Sequence, residues 1–125
     1  MRFVAVLLVL LISFGWAQPA GEWKVTERFE VPMQGTWMHQ PATQTFQARW
    51  KNGSAATLRL ERFEPESVVI TRYDDSGPTA GLRVRYEGRR QGPSVQGTVL
   101  WSWSDQVRRG TWSAVLPAEA EATAP

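Results

Sequence analysis

The sequence predicts an all-β fold, a small antiparallel up-and-down β-barrel of about eight strands. Apolar and polar residues alternate along most of the segment 22–116, and turn-forming residues interrupt the alternation at short intervals. The segment lacks the 3.6-residue apolar period of an amphipathic helix. A β-sandwich is the alternative. We favour the barrel because short connections pair sequential strands, and closing the sheet removes its exposed edges.

The first half of the segment contains four predicted strands. The alternation predicts inward-facing residues at Trp23, Val25, Phe29 and Val31, then at Trp37, then at Phe46, Ala48 and Trp50, and then at Leu58 and Leu60. Asn52-Gly53 is typical of the tight turn of a β-hairpin.

The second half continues the pattern with one difference. "SVVITRY" is apolar on both faces, which favours a central strand, and "DDSGPTAG" is rich in turn formers. The Asp74-Asp75 pair is therefore interpreted as turn chemistry. "SDQVRRG" is interpreted as the last loop and "TWSAVL" as the last strand. Inward-facing residues are predicted at Leu82, Val84, Tyr86, Val95, Val99, Trp101, Trp103, Trp112, Ala114 and Leu116.

The two ends differ in composition from this segment. Residues 1–17 combine a basic start, a short apolar run and a small-x-small triplet, the layout of a secretory signal peptide. Cleavage is expected after Ala17 or Ala20, which leaves no stable membrane anchor. Residues 18–116 form a single barrel domain, and 117–125 form a flexible tail rich in Pro, Ala and Glu. We expect an exported, periplasmic or secreted, bacterial protein.

Composition excludes several function classes. There is no cysteine, so disulfides, a thiol nucleophile and thiolate metal sites are ruled out. A single histidine makes a zinc site improbable, and we predict no metal and no cofactor. The formal net charge of +2 is too small to predict nucleic-acid binding. No serine lies in a nucleophile-elbow pattern, so we expect no enzymatic activity.

The tripeptide Gly-Thr-Trp occurs twice, at 35–37 and at 110–112. A strand that begins this way could bend at the glycine and send its indole inward. We expect the two strands to be neighbours where the barrel closes, with Trp37 and Trp112 plugging one end together. An arginine (Arg72, Arg108 or Arg109) is expected to stack on an indole face.

This Gly-x-Trp opening resembles that of the calycin group, which comprises lipocalins, fatty-acid-binding proteins and avidins. "GTWMHQPATQTF" is similar to the avidin-type opening, in which an Asn and a Ser contact the ureido group of biotin. His39 and Thr43 stand at those positions here. The resemblance implies a ligand-holding barrel with these two residues near its ligand.

Five residues are candidate ligand contacts: Trp101, Trp103, Tyr86, His39 and Thr43. Indole rings line many sites for rings and sugars, and Trp101 and Trp103 adjoin a polar turn that would place them near a barrel mouth. The alternative for His39 is an ordinary exposed loop histidine.

A stripe of arginines forms the second candidate surface: Arg83, Arg85, Arg89 and Arg90. Guanidinium groups recognise carboxylates, phosphates and acidic glycans. The alternative is a solvated outer face, paired across strands with Glu61, Glu64, Glu66 or Glu87.

The sequence therefore predicts an exported, non-catalytic barrel that binds a small apolar, aromatic or sugar-like ligand. The alternative is a structural or protein-interaction domain of the bacterial cell envelope, with a filled barrel and an envelope protein as partner. Inhibition of a secreted hydrolase belongs to that alternative.

Overall fold

A computed structural model describes residues 21–117, and the predicted signal peptide and nearly all of the predicted tail lie outside them. The described chain consists of eight strands, which form one closed antiparallel barrel in the order of the sequence. The prediction of an up-and-down barrel is confirmed. The strands are β1 (Glu22–Arg28), β2 (Pro32–Gln40), β3 (Thr45–Trp50), β4 (Ala55–Glu64), β5 (Ser67–Tyr73), β6 (Arg83–Gln91), β7 (Ser94–Trp103) and β8 (Gln106–Val115).

Each strand pairs with its neighbour in sequence, and β1 closes the barrel by pairing with β8 between Lys24↔Val115 and Arg28↔Thr111. The only register shift reported in these pairings is a bulge between Leu60 and Arg62 on β4. After the bulge, Phe63 instead of Arg62 packs against the core. Within residues 21–117, no helix has the length and hydrophobicity to cross a membrane.

Aromatic rings fill the interior. The Trp37 ring lies between those of Trp23 and Trp112, with centroids 6.5 and 5.7 Å away and ring planes within 20° of parallel. Tyr86 meets Trp37 edge-on at 4.9 Å, and Phe46 meets Trp23 edge-on at 4.8 Å. All five side chains are essentially inaccessible to solvent. The aromatic rings thus supply a large share of the bulk that an eight-stranded barrel needs inside it.

The Gly-Thr-Trp prediction is corrected in two respects. Strand β1 lies between β2 and β8, so the two strands are not neighbours, and the indoles of Trp37 and Trp112 stack inside the core and do not plug an end. Neither glycine has a positive φ. A Cβ on Gly35 would lie 2.8 Å from the Trp50 ring, and one on Gly110 would lie 2.9 Å from the Phe29 ring. Each glycine makes room for a ring.

Two predicted segments also differ. Val31 is 69 % exposed because the chain turns between β1 and β2 before reaching it. The segment interpreted as the last loop contributes to β8, which begins at Gln106. Pairing with β7, from Trp103↔Gln106 onward, extends the strand through residues 106–109, whose side chains are exposed.

The connections define two ends of the barrel. The "Trp101 end" carries the connections 29–31, 51–54, 74–82 and 104–105. The "His39 end" carries 41–44, 65–66 and 92–93, together with both ends of the described chain. Gly21 and Pro117 lie side by side there, and the backbone N–H of His39 donates to the Gly21 carbonyl at 3.0 Å.

The seam between β1 and β8 is testable through Gly110. A Cβ there would lie 2.3 Å from the Arg28 carbonyl oxygen, so Gly110→Ala must push the closing strands apart. We expect the free energy of unfolding in urea to fall by about 1–3 kcal/mol, the usual cost of overpacking. Ser113→Ala, an exposed position on the same strand, is the control. An unchanged urea midpoint for Gly110→Ala would contradict the tight seam.

Candidate functional site

The structure divides the five predicted ligand contacts among three places. Trp101 and Trp103 are half-buried at the Trp101 end, on the strand that leads into the 104–105 turn. Tyr86 is buried in the middle of the barrel, and its ring packs against Trp37 and Trp112. His39 and Thr43 lie at the opposite end. A single small ligand could therefore contact only part of the predicted set.

The register builds a row of side chains across the inner face at the Trp101 end. Arg72 on β5 pairs with Val84 on β6, Val84 pairs with Trp101 on β7, and Trp101 pairs with Arg108 on β8. A guanidinium group therefore stands at each end of this row, and that of Arg108 is the one adjacent to Trp101. The Arg108 guanidinium lies 5.9 Å from the Trp101 ring centroid and 5.0 Å from that of Phe29.

Arg72 is held in place by the 74–82 connection. Its guanidinium donates two hydrogen bonds to the Asp74 carboxylate, each 2.9 Å long, and the Thr79 hydroxyl donates to the same carboxylate. The hydrogen bonds from Arg72 lower the pKa of Asp74. Arg72 also lies 5.7 Å from the centroid of Trp50. The expected arginine–indole stacking is thus present on Trp50 and Trp101, and not on Trp37 or Trp112.

Trp103 attaches the same connection to the barrel wall. Its indole N–H donates to the Ala80 carbonyl at 3.0 Å, and its ring meets Trp101 edge-on, with centroids 6.3 Å apart and an interplanar angle of 80°. Leu82, at the end of the connection, is buried. The 74–82 connection is therefore fixed at its start through Asp74 and near its end through Ala80.

Glu27 is the buried acid of this region. It is 9 % exposed and accepts hydrogen bonds at Oε2 from Trp50 Nε1, at 2.7 Å, and from the Tyr86 hydroxyl, at 2.8 Å. Oε1 accepts no hydrogen bond from the rest of residues 21–117. Burial raises the pKa of Glu27, while these two hydrogen bonds and the positive charge of Arg72 act in the opposite direction. Burial likewise places the pKa of Tyr86 well above its usual value.

Sequence reasoning missed Glu27, although the signal was present. Trp23 and Val25 fix the parity of β1, and the same parity puts Glu27 inside the barrel. Charged residues are almost never fully buried unless they are paired, so the charge of Glu27 argued against the inward position that the parity of β1 indicated. The donors that satisfy it come from β3 and β6, which are distant in sequence.

His39 corrects the expectation of an exposed loop histidine. It lies on β2, is 5 % exposed and packs against Phe46 with ring centroids 5.1 Å apart. Neither ring nitrogen has a hydrogen-bond partner among the described residues. Burial lowers the pKa of His39. Thr43, by contrast, is exposed in the 41–44 turn, where its hydroxyl bonds that of Thr45 at 2.6 Å.

The predicted arginine stripe is split by the strand alternation. Arg83, Arg85 and Arg89 are exposed on the outer face of β6, whereas Arg90 is half-buried with its guanidinium 4.7 Å from the Phe63 centroid. Arg85 is paired with Glu87, and Arg89 with Glu66. Arg83 stacks on Tyr73 at 4.6 Å.

The cavities described for residues 21–117 are open grooves on the outer surface. One of about 440 Å³ crosses β1–β3, and two of about 540 and 400 Å³ adjoin Gly97. Trp101 and Trp103 line none of these three. In the same part of the chain, no three His, Asp or Glu side chains are placed to hold a metal ion.

Glu27→Gln tests the buried carboxylate. The variant keeps an acceptor oxygen for Trp50 and Tyr86 but removes the charge. Because burial raises the folded-state pKa above 4.5, wild-type stability should fall as the pH rises from 4.5 through that raised pKa. Over this pH window, the free energy of unfolding of the variant should rise relative to that of the wild type by about 1.4 kcal/mol per pH unit. Urea unfolding from pH 4 to 8 measures this.

The control for that series is Glu64→Gln, which removes one negative charge from an exposed position at the end of β4. A stability difference between wild type and Glu27→Gln that stays constant across the series would show that Glu27 is not the group being titrated.

His39→Leu tests the opposite pH effect. A histidine with a lowered folded-state pKa resists protonation, so the wild type should lose stability as the pH falls below 6.5. His39→Leu should lack this loss, which amounts to about 1.4 kcal/mol per pH unit until the lowered pKa is reached. His39 is the only histidine in the chain. Measuring both proteins in the Glu27→Gln background separates the two titrations, and parallel pH profiles would refute the assignment.

Comparison with known proteins identifies no relative of this chain. The chain matches no family model, no curated protein and no solved structure in the three comparisons made. The closed eight-stranded antiparallel barrel is consistent with a small calycin-like barrel. That likeness concerns architecture alone.

Proposed function

We propose that this protein is a non-catalytic binding module that takes a small aromatic ligand with an acidic group at the Trp101 end. The observation that supports this most directly is the inner-face row in which Arg108 lies against Trp101, with Arg72 at the other end of the row beyond Val84. An aromatic face beside cations fits a flat ring that carries a carboxylate or sulfonate.

The stacking surface comes from Trp101 and Trp103. Both indoles are half-exposed, and their edge-to-face contact fixes the angle between them. The indole N–H of Trp103 also donates a hydrogen bond to the Ala80 carbonyl, which holds the ring in place at its edge. A preorganised ring loses little entropy when a ligand stacks on it, which favours binding.

The two arginines differ in how much charge they offer a ligand. Arg72 is already neutralised by a bidentate contact with Asp74. The acidic partner of Arg108 within residues 21–117 is Glu30, at 4.0 Å, and the two side chains are 48 % and 91 % exposed. A pair this open contributes little, so Arg108 can exchange Glu30 for a ligand anion at small cost.

Glu27 provides a polar contact deeper in the barrel. It lies two residues before Phe29, and the Arg108 guanidinium lies over the Phe29 ring. The Oε1 atom of Glu27 accepts no hydrogen bond within residues 21–117. A hydroxyl or amine on the ligand that reached this oxygen would be held by a buried acceptor. The ligand we expect therefore combines a ring, an anion and one hydrogen-bond donor.

A second function is favoured by the packed aromatic core. The stacked rings of Trp23, Trp37 and Trp112 occupy the barrel centre. A barrel filled in this way suits a structural or protein-interaction domain of the cell envelope, including one that inhibits a secreted hydrolase. Export, on which both functions depend, rests on the predicted signal peptide.

Titration calorimetry with 2-naphthoate and its uncharged analogue 2-naphthalenemethanol tests the site. Trp101→Leu should weaken both about five- to tenfold, the value of a good aromatic contact. Arg108→Gln should weaken only the naphthoate, by about two- to fivefold, as expected for one exposed ion pair.

The matched controls are Phe63→Leu and Arg90→Gln, which alter the corresponding arginine–aromatic contact at the His39 end. Equal losses in these controls, or no naphthoate binding by the wild type, would refute the proposed site. Native mass spectrometry of protein purified from its own source would then distinguish the second function, through a bound protein in place of a small molecule.

A further inference from the structure

We propose that the outer groove across β1–β3 is a second binding site, separate from the Trp101 end, and that its ligand is an acidic polysaccharide. The groove has a volume of about 440 Å³. Its polar walls come from three adjacent strands: Lys24 and Thr26 on β1, Gln34 and Thr36 on β2, and Arg49 and Lys51 at the end of β3.

Strand register places these side chains in two parallel rows. Lys24 pairs with Thr36, and Thr36 pairs with Arg49, which forms the first row. Thr26 pairs with Gln34, and the Lys51 N–H donates to the Gln34 carbonyl at 2.9 Å, which forms the second row. Lys24, Thr26, Thr36 and Arg49 point outward because each adjoins a buried residue on its strand. Gln34 on β2 and Lys51, which follows β3, are also exposed.

The groove brings positively charged side chains together without an acidic one in its walls. Arg49 and Lys51 form no ion pair within residues 21–117, and no acidic side chain lines the groove. Lys24 has Glu22 at 3.4 Å, but both side chains are largely exposed, so the pair is weak. On β6, by contrast, Arg85 and Arg89 are each paired with a glutamate.

The middle of the groove determines what kind of anion fits. Thr26, Thr36 and Gln34 can each donate and accept hydrogen bonds. Sugar hydroxyl groups need both kinds of partner. The cations lie on either side of these three residues, with Lys24 on one side and Arg49 and Lys51 on the other. A chain of sugars with carboxylate or sulfate groups satisfies hydroxyls and charges together.

Two other polyanionic partners fit less well. An extended peptide commonly binds by adding a strand to a free sheet edge, and every strand here is paired on both sides. An anionic membrane surface is best met by apolar side chains that project beside the cations, and the two large apolar side chains of this groove, Val25 and Trp50, are buried.

Binding of a heparin-derived octasaccharide, measured by calorimetry at low and moderate salt, tests the proposal. We expect binding that weakens with salt, because the contacts are exposed ion pairs. The double variant Arg49→Gln/Lys51→Gln should weaken it about fivefold or more, as the loss of two such pairs predicts. Uncharged maltooctaose should not bind measurably.

The matched control is Arg85→Gln/Arg89→Gln, which removes the same charge from the outer face of β6. It should leave the octasaccharide affinity within about twofold, since distant surface charges are screened. An equal loss in the control would show attraction by net charge alone and overturn the site.

Two further titrations decide the ligand class. Tighter binding of poly-glutamate of matched length, or of phosphatidylglycerol vesicles, than of the octasaccharide would overturn the polysaccharide assignment. So would no octasaccharide binding at all. Because Arg49 and Lys51 lie outside the row around Trp101, the groove variants should bind 2-naphthoate like the wild type. The two sites can therefore fail independently.

Discussion

The structure depends on one constraint, that the inside of a closed eight-stranded barrel must be filled by the residues that point into it. Here six buried aromatic rings fill a large part of that space, and they need room that neighbouring positions must leave. Gly35 makes room for the ring of Trp50, Gly110 for that of Phe29, and Gly88 lies against Trp112. In the core, large rings thus lie next to glycines, which have no side chain to occupy the space. The two glycines of the Gly-Thr-Trp repeat are examples.

The same constraint explains why a carboxylate is inside. Indole and phenol rings bring polar atoms with them, and a buried N–H or O–H needs an acceptor. Glu27 accepts from both Trp50 and Tyr86, and so satisfies two donors that the aromatic packing buries. The indole nitrogens of Trp23 and Trp37 have no such partner in the described chain. The acid is therefore stabilised by rings, and it stabilises them in return.

The sequence was sufficient for the fold class and for most of the core. Period-two alternation put Trp37, Trp50 and Trp112 inside, and short connections indicated a meander. The sequence could not predict that Arg72 would pair with Asp74, or that Arg108 would lie beside Trp101. The contact between Arg108 and Trp101 depends on strand register, which a bulge such as that at Leu60 shifts without a clear sequence signal. The alternation along β2 could have shown that His39 points inside, and the alternation along β1 could have shown the same for Glu27. The polarity of these two side chains argued against an inward position.

The two ends of the described chain meet at one end of the barrel, where Gly21 lies against Pro117. A short linker could therefore join them, and new termini could be opened in an exposed turn such as 51–54, giving a circular permutant with the same strand order around the wall. It also means that a fusion partner joined directly to Gly21 or Pro117 would stand at the end of the barrel opposite Trp101. Surface immobilisation through either of these two residues would for the same reason leave the Trp101 end facing the solution.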